Sequence, residues 1–138
     1  MRPFLVMVTF CLLITRGDVV VQAGETERVS VDSAGNQGNG GSFRPAISAN
    51  GRSVVFASDA TNLVPADTNG VRDIFVYDRE TGVTERVSVD SLGNQGDGGS
   101  VGLAISIDAR FVAFSSNATN LVPADTNVAT DVFVHDRK

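Results

Sequence analysis

The chain contains two copies of one segment, and this repeat constrains its fold more than any other feature. Residues 26–80 align with residues 84–138 at a constant offset of 58 without a gap, and 37 of the 55 aligned positions are identical. A period of this length is typical of solenoids, propellers and other arrays, in which one unit buries its apolar face by stacking on a copy of itself. We therefore predict two repeats, about 26–83 and 84–138, within one domain, 24–138.

Each repeat is expected to hold four antiparallel strands joined by tight turns. Asn50-Gly51 lies between two β-prone runs and predicts a hairpin. Gly82 should take the left-handed backbone conformation in the loop of a second hairpin. The central runs 54–57 and 74–77 are apolar at both odd and even positions, so both faces of these strands should be covered. The predicted class is all-β, with four-stranded sheets of the kind that form β-propeller blades.

Two segments carry a resemblance to a known family. Residues 45–58, with Pro45, Ser48 and a turn before a Val-Val-Phe-Ala-Ser strand, resemble the repeat of TolB-like, WD-like β-propellers. Residues 74–82 resemble its third strand and following turn. The likeness covers essentially 26–138, and it implies a propeller that is commonly exported and commonly serves as a protein-binding platform. It supplies no catalytic residue, because the matched residues are structural.

The second repeat departs from the first in ways that limit the match. Leu103 stands where Pro45 does, and Asp108-Ala109 replaces Asn50-Gly51, so the second turn loses its glycine. A closed propeller needs at least four blades, whereas the chain offers one full set of strands, a second set without its fourth strand and a leading strand at Glu27 to Val31. We interpret this as an incomplete propeller, or a fragment of a six-bladed or larger one.

Self-association is expected on the same grounds. Each leading strand would complete the last blade of a neighbouring copy, and three chains of two blades would give a six-bladed homo-oligomer.

The N-terminus reads as an export signal. Arg2 precedes a mostly apolar run from Pro3 to Thr15, which is too short to span a bilayer. Val21-Gln22-Ala23 predicts cleavage before Gly24, so residues 1–23 are interpreted as a signal peptide. The mature chain would be periplasmic or extracellular, without a membrane span and without Cys11, the only cysteine.

One loop in each repeat has oxygen-bearing side chains at positions 1, 3 and 7, a spacing found in calcium loops. The metal candidates are Asp67, Asn69 and Asp73 in the first repeat and Asp125, Asn127 and Asp131 in the second. The pattern lacks a further carboxylate, and its glycine, Gly70, becomes Val128 in the second copy. Asp and Asn also favour turns without any metal, so turn chemistry is the alternative, and no other cofactor is predicted.

Other chemistries have little support in the sequence. The glycine-rich segments 35–41 and 93–99 carry no P-loop lysine and precede no helix, so we interpret them as flexible crossings between blades. His135 is the only histidine and replaces Tyr77 within a strand, which argues against catalysis. The net charge of −5, without a cluster of Lys or Arg, argues against a nucleic-acid partner.

Three function classes follow from these observations. The first is an exported, non-enzymatic propeller module that binds a protein or an envelope component. The second is a calcium-stabilised structural module, and the third is the accessory propeller of a larger hydrolase. Nothing in the sequence identifies the partner.

Overall fold

The computed structural model describes residues 24–138, and the predicted signal peptide, 1–23, lies outside the described residues. The described part is all-β and contains no helix. The strands are β1 (Ser42–Ile47), β2 (Ser53–Ser58), β3 (Asp73–Asp78), β4 (Val83–Arg86), β5 (Ser100–Ile105), β6 (Phe111–Ser116) and β7 (Asp131–Asp136).

The strands form two antiparallel sheets, and β4, which lies mostly in the second repeat, completes the first sheet. The first sheet has the order β1-β2-β3-β4 and the second has the order β5-β6-β7. The prediction of one full set of four strands, and of a second set of three, is confirmed. Across residues 24–138 the two sheets do not close into a ring.

The hairpin turns have the backbone conformation that the sequence predicts. Gly51 and Gly82 lie in the left-handed region, with φ of 71° and 72°. Ala109, which replaces Gly51 in the second repeat, keeps the same conformation with φ of 59°. Its N–H donates to the Ser106 carbonyl at 2.9 Å, as the Gly51 N–H donates to the Ser48 carbonyl at 2.8 Å. The second turn therefore keeps the conformation and the hydrogen bond of the first even where the residue is not glycine.

The predicted leading strand at Glu27 to Val31 is wrong. These residues form no strand, and their only ladder contact is an isolated antiparallel bridge between Val31 and Gln37. In the second repeat the matching segment, 85–89, lies beside β3, which supplies the hydrogen bonds of β4 and of the Val87 N–H. A strand needs a neighbouring strand to pair with, and none of the strands in residues 24–138 pairs with residues 27–30.

The apolar core lies between the two sheets. The first sheet presents a front face of Val55, Ala57, Ile74 and Val76, which pair across β2 and β3. The second sheet packs its opposite face against them. This core comprises Val55, Ala57, Ile74, Val76, Val87, Val112, Phe114, Ala118 and Leu121. Both faces of β2 are buried, as predicted, because Phe56 and Phe75 stack on the other side of the first sheet with ring centroids 5.9 Å apart.

Of the two glycine-rich segments predicted to be flexible crossings, residues 93–99 connect the two sheets, and both segments are closely packed. Residues 35–41 lead into β1, and residues 93–99 connect β4 to β5. A Cβ atom at Gly40 would lie 2.6 Å from the backbone nitrogen of Ala60, and one at Gly98 would lie 2.6 Å from that of Ala118. Glycine is needed at both positions because any side chain would collide with the backbone there.

Candidate functional site

The first of the two predicted calcium loops folds around an arginine. The Arg86 NH1 atom lies 3.2 Å from Asp67 Oδ1 and 3.3 Å from Asp73 Oδ2. Ser88 Oγ donates to Asp73 Oδ1 at 2.6 Å, and Asn69 Nδ2 donates to Asp73 Oδ2 at 2.9 Å. The structure therefore brings the three predicted residues of this loop together, and it adds Arg86 and Ser88 to them. We call these five residues the Arg86 cluster.

The charged members of the Arg86 cluster are removed from solvent. The side chains of Asp67, Asp73 and Arg86 are 2%, 1% and 10% exposed. Burial raises the pKa of Asp67 above its usual value, and the nearby Asp73 charge raises it further, while Arg86 opposes both effects. Two carboxylates thus share one guanidinium, and this cluster relies on Arg86 for its charge balance.

The Arg86 cluster leaves few oxygens free for a metal ion. Asn69 turns its amide nitrogen towards Asp73 and accepts a bond from the Val71 N–H at 3.2 Å. No group of three or more His, Cys, Asp or Glu side chains within residues 24–138 has an arrangement suited to holding a metal. Calcium binding at these loops stays a prediction.

The matching loop of the second repeat has the same internal geometry but a different surrounding. Asn127 Nδ2 donates to Asp131 Oδ2 at 2.9 Å, and Asn127 Oδ1 accepts from the Ala129 N–H at 2.9 Å. In the described structure no arginine or lysine forms an ion pair with Asp125 or Asp131. This loop presents two carboxylates without the cation that its copy possesses.

A cleft lies beside the outer edge of β7. It has a volume of about 530 Å³ and lies between the crossing that contains Val89 and Ser91 and the strand that contains Phe133 and His135. His135 is half-buried there, and burial lowers its pKa. A second concavity of about 510 Å³ continues along β7 to the loop that holds Asp125.

The front face of the second sheet is open to solvent. Val132 and Val134 are 76% and 66% exposed, whereas their counterparts in the first sheet, Ile74 and Val76, are fully buried. Both valines lie on β7, next to the cleft. The free edge of β7, its open front face and the two concavities form one continuous surface, which we call the β7 surface.

Other carboxylates form ion pairs with arginines at the ends of strands. Arg52 pairs with Asp78 at 2.8 Å, and Arg110 pairs with Asp136 at 2.6 Å at the same place in the second repeat. These guanidinium groups hold the pKa of each aspartate at about 2. The pairing recurs because the repeat recurs, so a structural role accounts for it.

Sequence reasoning did not find Arg86 or Ser88. A signal was present, because an antiparallel register that pairs Arg86 with Phe75 places the arginine on the same face of the sheet as a buried aromatic residue. A charge at such a position requires a buried counter-charge, and the aspartates of the neighbouring loop were the available candidates.

The chain was also compared with known proteins. No family model matches it, and no curated protein is significantly similar to it. Residues 24–138 contain no helix with the length and apolar character that crossing a bilayer requires.

Proposed function

We propose that this chain is an exported, non-enzymatic module of propeller-type repeats that binds a protein partner through its β7 surface. The observation that carries the proposal is the contrast in burial between equivalent residues. Ile74 and Val76 are fully covered by the neighbouring repeat, while Val132 and Val134 lie open on β7. A contiguous apolar face of this kind marks an interaction site.

The free edge of β7 favours a protein partner over a small ligand. An exposed strand edge presents unpaired N–H and C=O groups, which an added strand satisfies through main-chain hydrogen bonds. The cleft beside this edge is lined by Phe114 and Phe133, so it offers apolar contacts to alternate side chains of such a strand. Backbone pairing and side-chain contacts together fit an extended polypeptide.

The blade interpretation rests on the repeat itself. Each sheet is antiparallel with its strands in chain order, and the first sheet packs face to face on the second. Such stacking of successive sheets is the arrangement of propeller blades. The non-enzymatic assignment is supported by Asp78 and its copy Asp136, which form the same structural ion pair in both repeats.

Photo-crosslinking tests the proposal in the producing cell. A photoreactive amino acid at Val134 should give a discrete protein adduct after export, identifiable by mass spectrometry. The matched control is Ile107, which is also strongly exposed but lies in the turn between β5 and β6, outside the lining of both concavities. Labelling at Val134 that does not exceed labelling at Ile107 would overturn the proposal.

A further inference from the structure

The cleft beside β7 has a filled counterpart in the first repeat. Its lining residues Val89, Ser91, Phe133 and His135 correspond, at the offset of 58, to Val31, Ser33, Phe75 and Tyr77. In the first sheet that position is occupied by β4, which pairs with β3 from Phe75 to Asp78. The cleft therefore has the shape of a slot for one strand.

Side-chain contacts of Thr84 and Arg86 hold β4 in the first sheet. Thr84 Oγ1 donates to the Val31 carbonyl at 2.5 Å, and the Thr84 N–H donates to Ser33 Oγ at 3.0 Å. Two residues beyond Thr84, Arg86 enters the acidic loop of the Arg86 cluster. A strand that fills the equivalent slot beside β7 needs a threonine and an arginine with this spacing.

The chain carries such a strand at its own leading segment. Residues 26–33 are identical to residues 84–91, so Thr26, Arg28 and Ser30 match Thr84, Arg86 and Ser88. Arg28 makes no ion pair in the described structure, where it donates to Gln37 instead. The copy of Gln37 is Gln95, whose Nε2 donates to Thr68 Oγ1 in the loop of the Arg86 cluster at 2.7 Å. Arg28 and Gln37 thus bond to each other, whereas their copies bond to that loop.

The leading segment contacts the first repeat in the same way as its copy contacts the second repeat. Glu27 pairs with Arg79, as Glu85 pairs with Arg137 between β4 and the second repeat. The Gly38 N–H donates to the Ser30 carbonyl at 3.0 Å, and its copy makes the same bond at 3.1 Å. Residues 27–38 therefore sit against the first repeat as β4 and its crossing sit against the second.

We infer that the partner of the β7 surface is a second copy of this chain, whose leading segment adds to β7 as a fourth strand. This inference rests on the proposed function and names its partner. Transferring the β3–β4 register by 58 residues places Thr26 opposite His135 and Arg28 opposite Phe133. Arg28 then lies between Asp125 and Asp131, and Ser30 donates to Asp131.

Charge complementarity selects this occupant. The acidic loop of the second repeat presents two carboxylates without a cation, and Arg28 supplies one charge in the geometry that Arg86 shows. The contact is heterologous, because the leading segment of one copy meets the β7 surface of the next. Residues 24–138 of each copy carry one leading segment and one β7 surface, so the contact between copies runs head to tail.

A disulfide between two different variants tests the register. One chain carries Thr26→Cys and the other His135→Cys, each in a Cys11→Ser background so that no other cysteine is present. Residues opposite each other in antiparallel strands have Cα atoms about 4.5–5.5 Å apart, within disulfide range. Mixing the two full-length variants, each purified from an exporting host, should give a heterodimeric disulfide. Ile107→Cys, in the exposed turn between β5 and β6, is the control in place of His135→Cys and should give none.

Sedimentation of the unmodified chain supplies the second readout. We expect concentration-dependent association, weakened at least about tenfold by Arg28→Met because two carboxylates lose their cation. Arg52→Met, which removes an exposed arginine outside this contact, should leave association unchanged. A monomer at tens of micromolar, or association without the Thr26–His135 disulfide, overturns the inference. If Val134 still cross-links to another protein in the cell, the proposed function survives that failure; if it cross-links to nothing, both fail.

Discussion

Replacing Arg86 with methionine should lower the free energy of unfolding by about 3–5 kcal/mol, the cost of removing one partner from a buried ion pair. Methionine keeps most of the apolar stem and removes the guanidinium. Asp67 and Asp73 then remain buried without a cation, and Ser88 and Asn69 donate hydrogen bonds to Asp73 but not to Asp67. The loss should therefore be electrostatic rather than one of packing.

The magnitude follows from the two short contacts of Arg86. At about 4 Å and an effective dielectric constant near 20, each opposite-charge pair is attracted by about 4 kcal/mol. The cost of desolvating three charges offsets much of that attraction in the intact protein, but the two aspartates stay desolvated in the variant. For a domain of this size, a loss of about 3–5 kcal/mol corresponds to a Tm lower by about 10–25 °C.

Urea denaturation of Arg86→Met and of the parent chain at several pH values measures the effect. The pKa of Asp67 is raised in the native state and should rise further without Arg86. The native variant then binds a proton more readily than its unfolded chain, so its stability should increase as the pH falls from 7 towards 4. Arg110→Met, at an exposed ion pair, is the control and should cost at most about 1 kcal/mol. A loss below 1 kcal/mol at pH 7, independent of pH, would refute the reasoning.

Four further outcomes are expected. Val128→Gly should raise the Tm by a few degrees and Gly70→Val should lower it, because both positions have a left-handed backbone, with φ of 55° and 67°, that suits a β-branched residue poorly. Acid titration should show stability lost as the pH falls from about 4 towards 2, since Asp78 and Asp136 have native pKa values near 2, below those of the unfolded chain. Millimolar calcium should leave the Tm nearly unchanged, and a saturable rise would establish a site in the acidic loops. Mass spectrometry of the exported protein should find Gly24 as its first residue.

The fold was largely predictable because its signals are local. The glycines at Gly51 and Gly82 specify where strands end. The runs that are apolar at both odd and even positions specify burial on both faces of the sheet, and neither signal depends on which strand lies alongside. The leading strand was predicted wrongly for the opposite reason. Residues 26–33 and 84–91 have the same sequence and therefore the same local preference for strand. A strand also requires the edge of another strand, and β3 provides that edge only to the second copy of the segment.

The candidate site was predictable only in part. The spacing of Asp67, Asn69 and Asp73 grouped three residues that the structure places around Arg86, because they lie in one loop. Arg86 approaches that loop from a different strand, so only the β3–β4 register brings it there. Spacing along the chain contains no information about which cation meets two carboxylates, and a metal ion and a guanidinium satisfy the same charges.

The two repeats differ where the contact between copies would be apolar and agree where it would be polar. The residues corresponding to Thr84, Arg86 and Ser88, and to the aspartates they meet, are identical in both repeats. The front face instead changes from Val55, Ala57 and Ile74 to the smaller or more polar residues Ala113, Ser115 and Val132.

Three fewer buried carbons weaken the apolar contribution by about 2–3 kcal/mol, at about 0.8 kcal/mol for each carbon. The junction between copies should therefore keep the register of the internal junction and lose part of its strength. The two sheets of one chain are joined covalently, so dilution does not separate them. Two copies are not joined, so we expect them to dissociate as the protein is diluted.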